Sequence, residues 1–255
     1  MVARDGRTDM EGSLSGRVAL VTGGGTGIGR AIALALAAQG AAVAVNYSRS
    51  RGDAEETVGI IRERKRRALA VQADVSVDHE ADEMVTRVVR EFERLDLLVN
   101  NAGTTRFIDH ANLEALTGDV WDHIFAVNVK GTFFCARAAA RAMTEGRIIN
   151  IGSVAGVNGS GSSIAYAASK AAIHTMTRSL ARALAPRITV NAIAPGLIET
   201  RWHAGREAEN ARRAEKLPAR RIGQPEDIAR IAVALATAGN FITGQVIIVD
   251  GGGLL

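Results

Sequence analysis

Tyr166 and Lys170 are the two side chains of this sequence best placed to exchange a proton. They stand four positions apart in the Ala-rich stretch Tyr166-Ala167-Ala168-Ser169-Lys170, and helical winding sets both on one face, one turn from each other. A free tyrosine titrates near ~10, and an ammonium held beside it favours the phenolate, so the pair reads as a tunable proton donor and acceptor. The same spacing also arises by chance, as a tyrosine packed on a helix with a lysine in water, so its meaning depends on what surrounds it. Ser153 supplies a hydroxyl thirteen positions before Tyr166. The stretch Val157 to Ser163 between them is rich in Gly and Ser, which lets the chain double back before Tyr166 enters its helix.

The elements that must position these groups alternate between strand and helix. Arg17 to Thr22 is a short apolar, β-branched run of the kind buried in a parallel sheet. It leads into Gly23-Gly24-Gly25-Thr26-Gly27-Ile28-Gly29 and then a helical pattern over Arg30 to Gln39. Strand, glycine turn and helix in that order make a phosphate cradle: glycines let the backbone approach a pyrophosphate, and the helix N-terminus holds it through free N–H groups. The spacing is Gly23-x-x-x-Gly27-x-Gly29 rather than the commoner Gly-x-Gly-x-x-Gly. Strands then follow at Ala42 to Asn46, Ala68 to Gln72, Leu97 to Asn100, Arg147 to Ile151, Ile188 to Ala194 and Gln245 to Val249. Helices read at Asp53 to Arg66, Asp78 to Phe92, Val120 to Met143 and Pro225 to Ala236. This alternation predicts an α/β fold over residues 14–255: a single Rossmann-type doubly wound domain with a seven-stranded, mostly parallel sheet and helices on both faces. Residues 1–13 are polar and read as a flexible tail. Residues 197–219 break the alternation at the ligand edge and read as a substrate loop or lid.

The ends of the strands suggest what binds there. In dinucleotide folds a carboxylate after the second strand bonds the adenosine ribose, whereas an arginine accommodates a 2′-phosphate. Here the segment is Asn46-Tyr47-Ser48-Arg49-Ser50-Arg51, with no carboxylate before Asp53. Ser48 and Arg49 offer a hydroxyl and a guanidinium fork to a phosphate, which favours NADP(H) over NAD(H); the plain alternative is that Arg49 and Arg51 are loop charges. Asp74 follows the third strand and reads either as an acceptor for the adenine amino group or as a turn residue. Asn101-Ala102-Gly103 after the fourth strand is small enough for backbone to lie against a cofactor. Asn128 falls inside a predicted helix, where an asparagine usually points to water or a neighbouring carbonyl.

Composition removes other classes. The formal net charge is +4, yet the arginines are scattered among acids, and the dense run Arg62 to Arg67 is expected to end a helix, where cations meet its dipole. No nucleic-acid partner follows from that pattern. Cys135 is the only cysteine and reads as a small buried hydrophobe, and the five histidines show no metal-ligand spacing, so no metal is expected. There is no long apolar span and no secretion-signal core, which predicts a cytoplasmic protein without a membrane partner.

Taken together, the chain resembles the short-chain dehydrogenase/reductase family from about Leu14 to Gly252. The resemblance is carried by Thr22-Gly23-x-x-x-Gly27-Ile28-Gly29, Asn100-Asn101-Ala102-Gly103, Asn128, Ser153, Tyr166, Lys170 and Pro195-Gly196, all in the family's order. Asn46-Tyr47-Ser48-Arg49, Ile222 to Ala229 and Ile242 to Gln245 look most like its 3-oxoacyl-(acyl carrier protein) reductase-like branch. The resemblance implies that Tyr166 is the acid that protonates a carbonyl oxygen, that Lys170 lowers its pKa and binds the nicotinamide ribose, and that Ser153 hydrogen-bonds the substrate oxygen. It implies that Asn128 holds a water linking Lys170 to solvent. It further implies that Thr26, Ile28, Ser48, Arg49, Asp74, Val75, Asn101, Ala102, Gly103, Pro195, Gly196, Ile198 and Thr200 line the cofactor. A homotetramer is also a family implication, compatible with the apolar Phe133, Phe134, Ile247 and Leu254.

The leading expectation is therefore an NADP(H)-dependent reductase of a 3-oxoacyl thioester or related ketone. The alternatives are an NAD(P)-dependent dehydrogenase of a sugar or other secondary alcohol, and a non-catalytic nucleotide sensor on the same fold.

Overall fold

The strand β1 (Val18–Val21) is Val-Ala-Leu-Val, buried at every position, and such a strand needs cover on both faces. The computed structural model describes residues 12–255 apart from 204 and 206, so nearly all of the expected tail, residues 1–13, lies outside the described residues. After β1 come α1 (Gly27–Ala38), β2 (Ala42–Tyr47), α2 (Arg51–Glu63), β3 (Ala68–Gln72), α3 (Asp78–Phe92) and β4 (Leu97–Asn100). The next elements are α4 (Gly118–Phe125), α5 (Thr132–Ala142), β5 (Gly146–Ile151), α6 (Ala155–Asn158) and α7 (Ile164–Leu184). The chain closes with β6 (Ile188–Pro195), α8 (Glu207–Lys216), α9 (Pro225–Thr237) and β7 (Val246–Val249).

The sheet has seven strands in the order β3-β2-β1-β4-β5-β6-β7. Every pairing is parallel, not merely most of them, so all the strand carboxyl ends share one edge. The direction of winding reverses between β1 and β4, which opens a crevice at that edge. Alternate side chains of β1 serve two cores: Ala19 and Val21 join one cluster, Val18 and Leu20 the other. The first cluster packs α1, α2 and α9 through Ile32, Leu36, Val58, Ile61 and Ile228. The second packs α3, α5 and the end of α7 through Met84, Val88, Phe92, Ala139 and Ala181. Cys135 belongs to the second cluster, and burial pushes its thiol up to about 12, which keeps it an unreactive hydrophobe.

Three local expectations change. The helix α2 ends at Glu63 rather than Arg66, because Lys65 turns left-handed (φ 58°). Arg62 in its last turn donates to the Ala68 carbonyl, and Arg67 beyond it donates to the Glu91 carbonyl, so the basic run ties α2 to β3 and α3 instead of only meeting a dipole. The helix predicted over Val120 to Met143 is split by a wide π-turn at Ala126–Gly131, between α4 and α5. Finally, the irregular 197–219 segment contains a short 3-10 turn, Arg201–His203, and the helix α8. The sequence Glu-Ala-Glu-Asn-Ala-Arg-Arg-Ala-Glu-Lys of α8 offers only alanines, Ala208, Ala211 and Ala214, as an apolar stripe, too small a signal to announce it.

Candidate active site

Two of the glycines in the turn after β1 adopt a conformation that L side chains rarely take: Gly23 at φ 59° and Gly27 at φ 51°. Space is equally restrictive at Gly29, where a Cβ would lie 2.4 Å from Asn101 Nδ2 and from the Gly23 carbonyl. The turn is bolted to the loop after β4. Thr22 Oγ1 accepts from Asn101 N and Ala102 N at 3.0 Å each, and Asn101 Nδ2 donates to the carbonyls of Thr22 and Gly23, also at 3.0 Å. On the other side Asn46 Oδ1 accepts from Gly23 N at 3.2 Å, while its amide donates to the Val71 and Ala73 carbonyls. Thr22 and Asn46 stand in the motifs that carry the resemblance, but the sequence assigned neither a role in the site. Their signal was a polar residue closing an otherwise apolar, buried strand.

A groove of about 430 Å³ opens over this turn. It is lined by Gly23, Thr26, Gly27, Ile28, Ser48, Arg49, Asp74, Val75, Asn101, Ala102, Gly103, Ser153, Tyr166, Lys170, Pro195, Gly196, Ile198 and Thr200. Only Gly29 and Asn128, of the sequence-derived candidates, stand behind the lining rather than on it. The cradle suits a dinucleotide: backbone rather than side chain faces the groove at the glycines, and cationic and hydroxyl groups stand at one end. At that end Ser48 and Arg49 are exposed, and the Arg49 guanidinium makes no hydrogen bond or ion pair with the described residues. Arg51, by contrast, is committed to Glu55 at 2.6 Å. Asp74 keeps both of its readings: Oδ1 closes a turn by accepting from Ser76 N and Oγ, and the residue also lines the groove.

At the other end α7 presents Tyr166 and Lys170. Ser163 caps the helix by accepting from Tyr166 N at 3.2 Å, which fixes the backbone of the tyrosine itself. Lys170, 4% exposed, donates from Nζ to the Ile151 carbonyl at 2.8 Å and stands 5.6 Å from the Tyr166 ring centroid. Burial pulls its pKa down to about 8. Burial also pushes Tyr166 up to about 12, against the opposing hydrogen bond with Ser153. The expectation that Lys170 draws the phenol toward neutral pH is therefore not met in this arrangement: the lysine is itself desolvated, and its ammonium is spent on a carbonyl. Tyr166 remains a phenol.

Asn128 sits fully buried in the π-turn. Its Oδ1 accepts from Thr104 N at 2.8 Å, and its Nδ2 donates to the Thr104 carbonyl and to Ser169 Oγ at 3.0 Å each. The side chain thus ties α7 to the loop after β4. His174 continues the four-residue spacing of Tyr166 and Lys170 along α7. It is 5% exposed, its imidazole hydrogen-bonds the backbone of Gly156, and its Nε2 has no partner among the described residues. A Cβ at Gly152, the residue before Ser153, would lie 2.3 Å from that nitrogen. Burial, with the charges of Lys170 and Arg178, lowers the His174 pKa to about 4.

The sequence profile described as Enoyl-(Acyl carrier protein) reductase matches residues 23–253, a span that holds both ends of this groove. The chain belongs to the short-chain dehydrogenase/reductase family. A 3-oxoacyl-(acyl-carrier-protein) reductase of Synechocystis sp. is 43% identical over 246 residues, covering 94% of this chain and 98% of its own. Versicolorin reductase 1 of Dothistroma septosporum is 38% identical over 256 residues, covering 94% and 96%. A short-chain dehydrogenase of Burkholderia cenocepacia, solved in complex with NADP, has a TM-score of 0.89 and 39% identity, over 95% of this chain and 100% of that one.

Within this short-chain dehydrogenase/reductase, the 3-10 turn Arg201–His203 adds contacts that the sequence did not reveal. Arg201 forms a forked ion pair with Asp53 of α2, at 2.9 and 2.7 Å, across 148 positions of sequence. The neighbouring Trp202 meets the Tyr166 ring edge to face, with centroids 6.1 Å apart and planes at 70°. Thr104 and His123 also line the groove near this end. No group of three or more metal-ligating side chains occurs among the described residues. No described helix is long and apolar enough to cross a membrane.

Proposed function

We propose that this chain is an NADP(H)-dependent carbonyl reductase acting on a 3-oxoacyl thioester or a related ketone. The observation that carries the reading is the meeting of Ser153, Tyr166 and Lys170 at one end of a groove whose other end is the glycine turn. The nicotinamide supplies the hydride, and the residues of the chain supply placement and the proton. Gly23, Thr26, Gly27, Ile28, Asn101, Ala102 and Gly103 would hold the dinucleotide backbone, with Gly29 allowing the close packing beneath it. Ser48 and Arg49 would take the 2′-phosphate, and Asp74 and Val75 the adenine. Pro195, Gly196, Ile198 and Thr200 would flank the nicotinamide end.

Tyr166, still protonated at neutral pH, is the acid that gives its proton to the carbonyl oxygen as that oxygen gains charge. Ser153 hydrogen-bonds the same oxygen and stabilises the developing alkoxide. Lys170 would hold the nicotinamide ribose hydroxyls, and its ammonium, 5.6 Å from the Tyr166 ring centroid, would favour the phenolate left when the proton is given up. Asn128 holds Thr104 and Ser169 in register, and its carbonyl, which already accepts from Thr132 Oγ1 at 2.7 Å, offers its remaining lone pair to a water on the path from Lys170 to solvent. We further place the protein in the cytosol as a homotetramer of domains spanning residues 14–255, with 197–219 as the substrate loop. The exposed apolar Phe133 and Ile248 support burial between subunits.

Initial rates of NADPH and NADH oxidation with a panel of 3-oxoacyl thioesters and ketones test the proposal. Tyr166→Phe should lose about 10²- to 10⁴-fold in kcat while still binding cofactor. Arg49→Ala should raise the KM for NADPH about tenfold and leave NADH unchanged. NADH preference in the unaltered enzyme would remove the role given to Arg49, and full activity in Tyr166→Phe would remove the mechanism.

A further inference from the structure

The largest side chain among the described residues lining the groove is Trp202, and it stands beside the hydroxyl-bearing ring that the mechanism uses. Although it touches Tyr166, it remains 43% exposed. Its indole N–H makes no hydrogen bond to a described residue, so an aromatic face and a donor are both left open. The turn that bears it is pinned from outside, because Arg201 is forked onto Asp53 at 2.9 and 2.7 Å. Trp202 is therefore a preformed wall, and a substrate that uses it does not first have to order the turn.

That wall has a chemical preference. A carbonyl whose oxygen meets Tyr166 lies next to the indole that packs on that ring, so a substituent on that side of the carbonyl runs along it. A flexible acyl chain gains little there beyond the area it buries, whereas a flat ring adds offset or edge-to-face attraction to the same burial. We infer that Trp202 selects ketones carried on a planar ring system, aryl or fused cyclic, over linear acyl thioesters. This inference rests on the carbonyl-reductase reading and narrows its substrate class.

The experiment compares tetralone, a fused aryl ketone, with acetoacetyl-CoA, a linear thioester, as NADPH-dependent substrates of the unaltered enzyme, Trp202→Leu and Trp202→Phe. Trp202→Leu should lower kcat/KM for tetralone about tenfold, mainly through KM, and change acetoacetyl-CoA by less than about twofold. Trp202→Phe should keep most of the tetralone activity. Equal losses on both substrates, or no loss on tetralone, overturn the inference. If neither substrate is reduced, the functional proposal fails by itself, and binding still decides the role of Trp202. The chain has two tryptophans, so Trp121→Phe leaves Trp202 as the only indole fluorophore. Saturable quenching of it by tetralone in the presence of NADP⁺ supports the inference; no quenching overturns it.

Discussion

At the scale of single residues, burial outweighs charge around α7. Tyr166 moves up and Lys170 down, both because the folded protein disfavours their charged forms. His174 follows the same rule and yields a pH prediction. Its pKa falls from 6.5 in the unfolded chain to about 4 in the fold, so between those values the unfolded state binds the extra proton and stability falls as pH falls. Urea midpoints at pH 7 and 5 should separate less in His174→Leu than in the unaltered protein. An unchanged separation would mean that His174 is protonated in the fold. The neighbouring glycine shares this constraint: a methyl at Gly152 would lie 2.3 Å from His174 Nε2, so Gly152→Ala should destabilise the fold and His174→Ala should relieve that clash.

At the scale of elements, the site depends on where short segments end. The 3-10 turn at Arg201 is fastened to the first turn of α2, so Asp53→Asn should raise the cofactor dissociation rate about two- to fivefold and flatten its dependence on salt. Stopped-flow displacement at low and high ionic strength measures both, and an unchanged rate at both would show that the ion pair does not restrain the groove. This contact was illegible beforehand, since nothing in the sequence connects positions 148 apart. By contrast, β3, α3 and β4 begin and end where the sequence placed them, at Ala68–Gln72, Asp78–Phe92 and Leu97–Asn100. Their boundaries are local, set by apolar runs and by the polar residues that stop them. The stretch around Asn128 reads only as part of a mostly helical segment, and its π-turn is not legible, because an extra residue in a turn leaves the apolar spacing nearly intact over so short a stretch. The charged α8 was missed for another reason: the only apolar residues at helical spacing are the small Ala208, Ala211 and Ala214.

At the scale of the whole molecule, the groove draws residues from Gly23 to Trp202, so a bound cofactor links most of the sheet. NADPH at about 100 times its Kd should add about 2.7 kcal/mol to stability, which for a chain of this length raises Tm by about 5–10 °C. Differential scanning fluorimetry reads this directly, and an NADH shift as large as the NADPH shift would argue against a 2′-phosphate site. The two cores divide that groove. The glycine turn and the Ser48-Arg49 segment are carried by α1 and α2, which pack on one face of the sheet, whereas Tyr166 and Lys170 belong to α7, whose far end packs on the other. On the proposed reading, descendants of such a chain would exchange one cofactor for another by mutations on one face while Tyr166 on the opposite face is inherited unchanged, and would acquire new substrates without relearning how to hold the nucleotide.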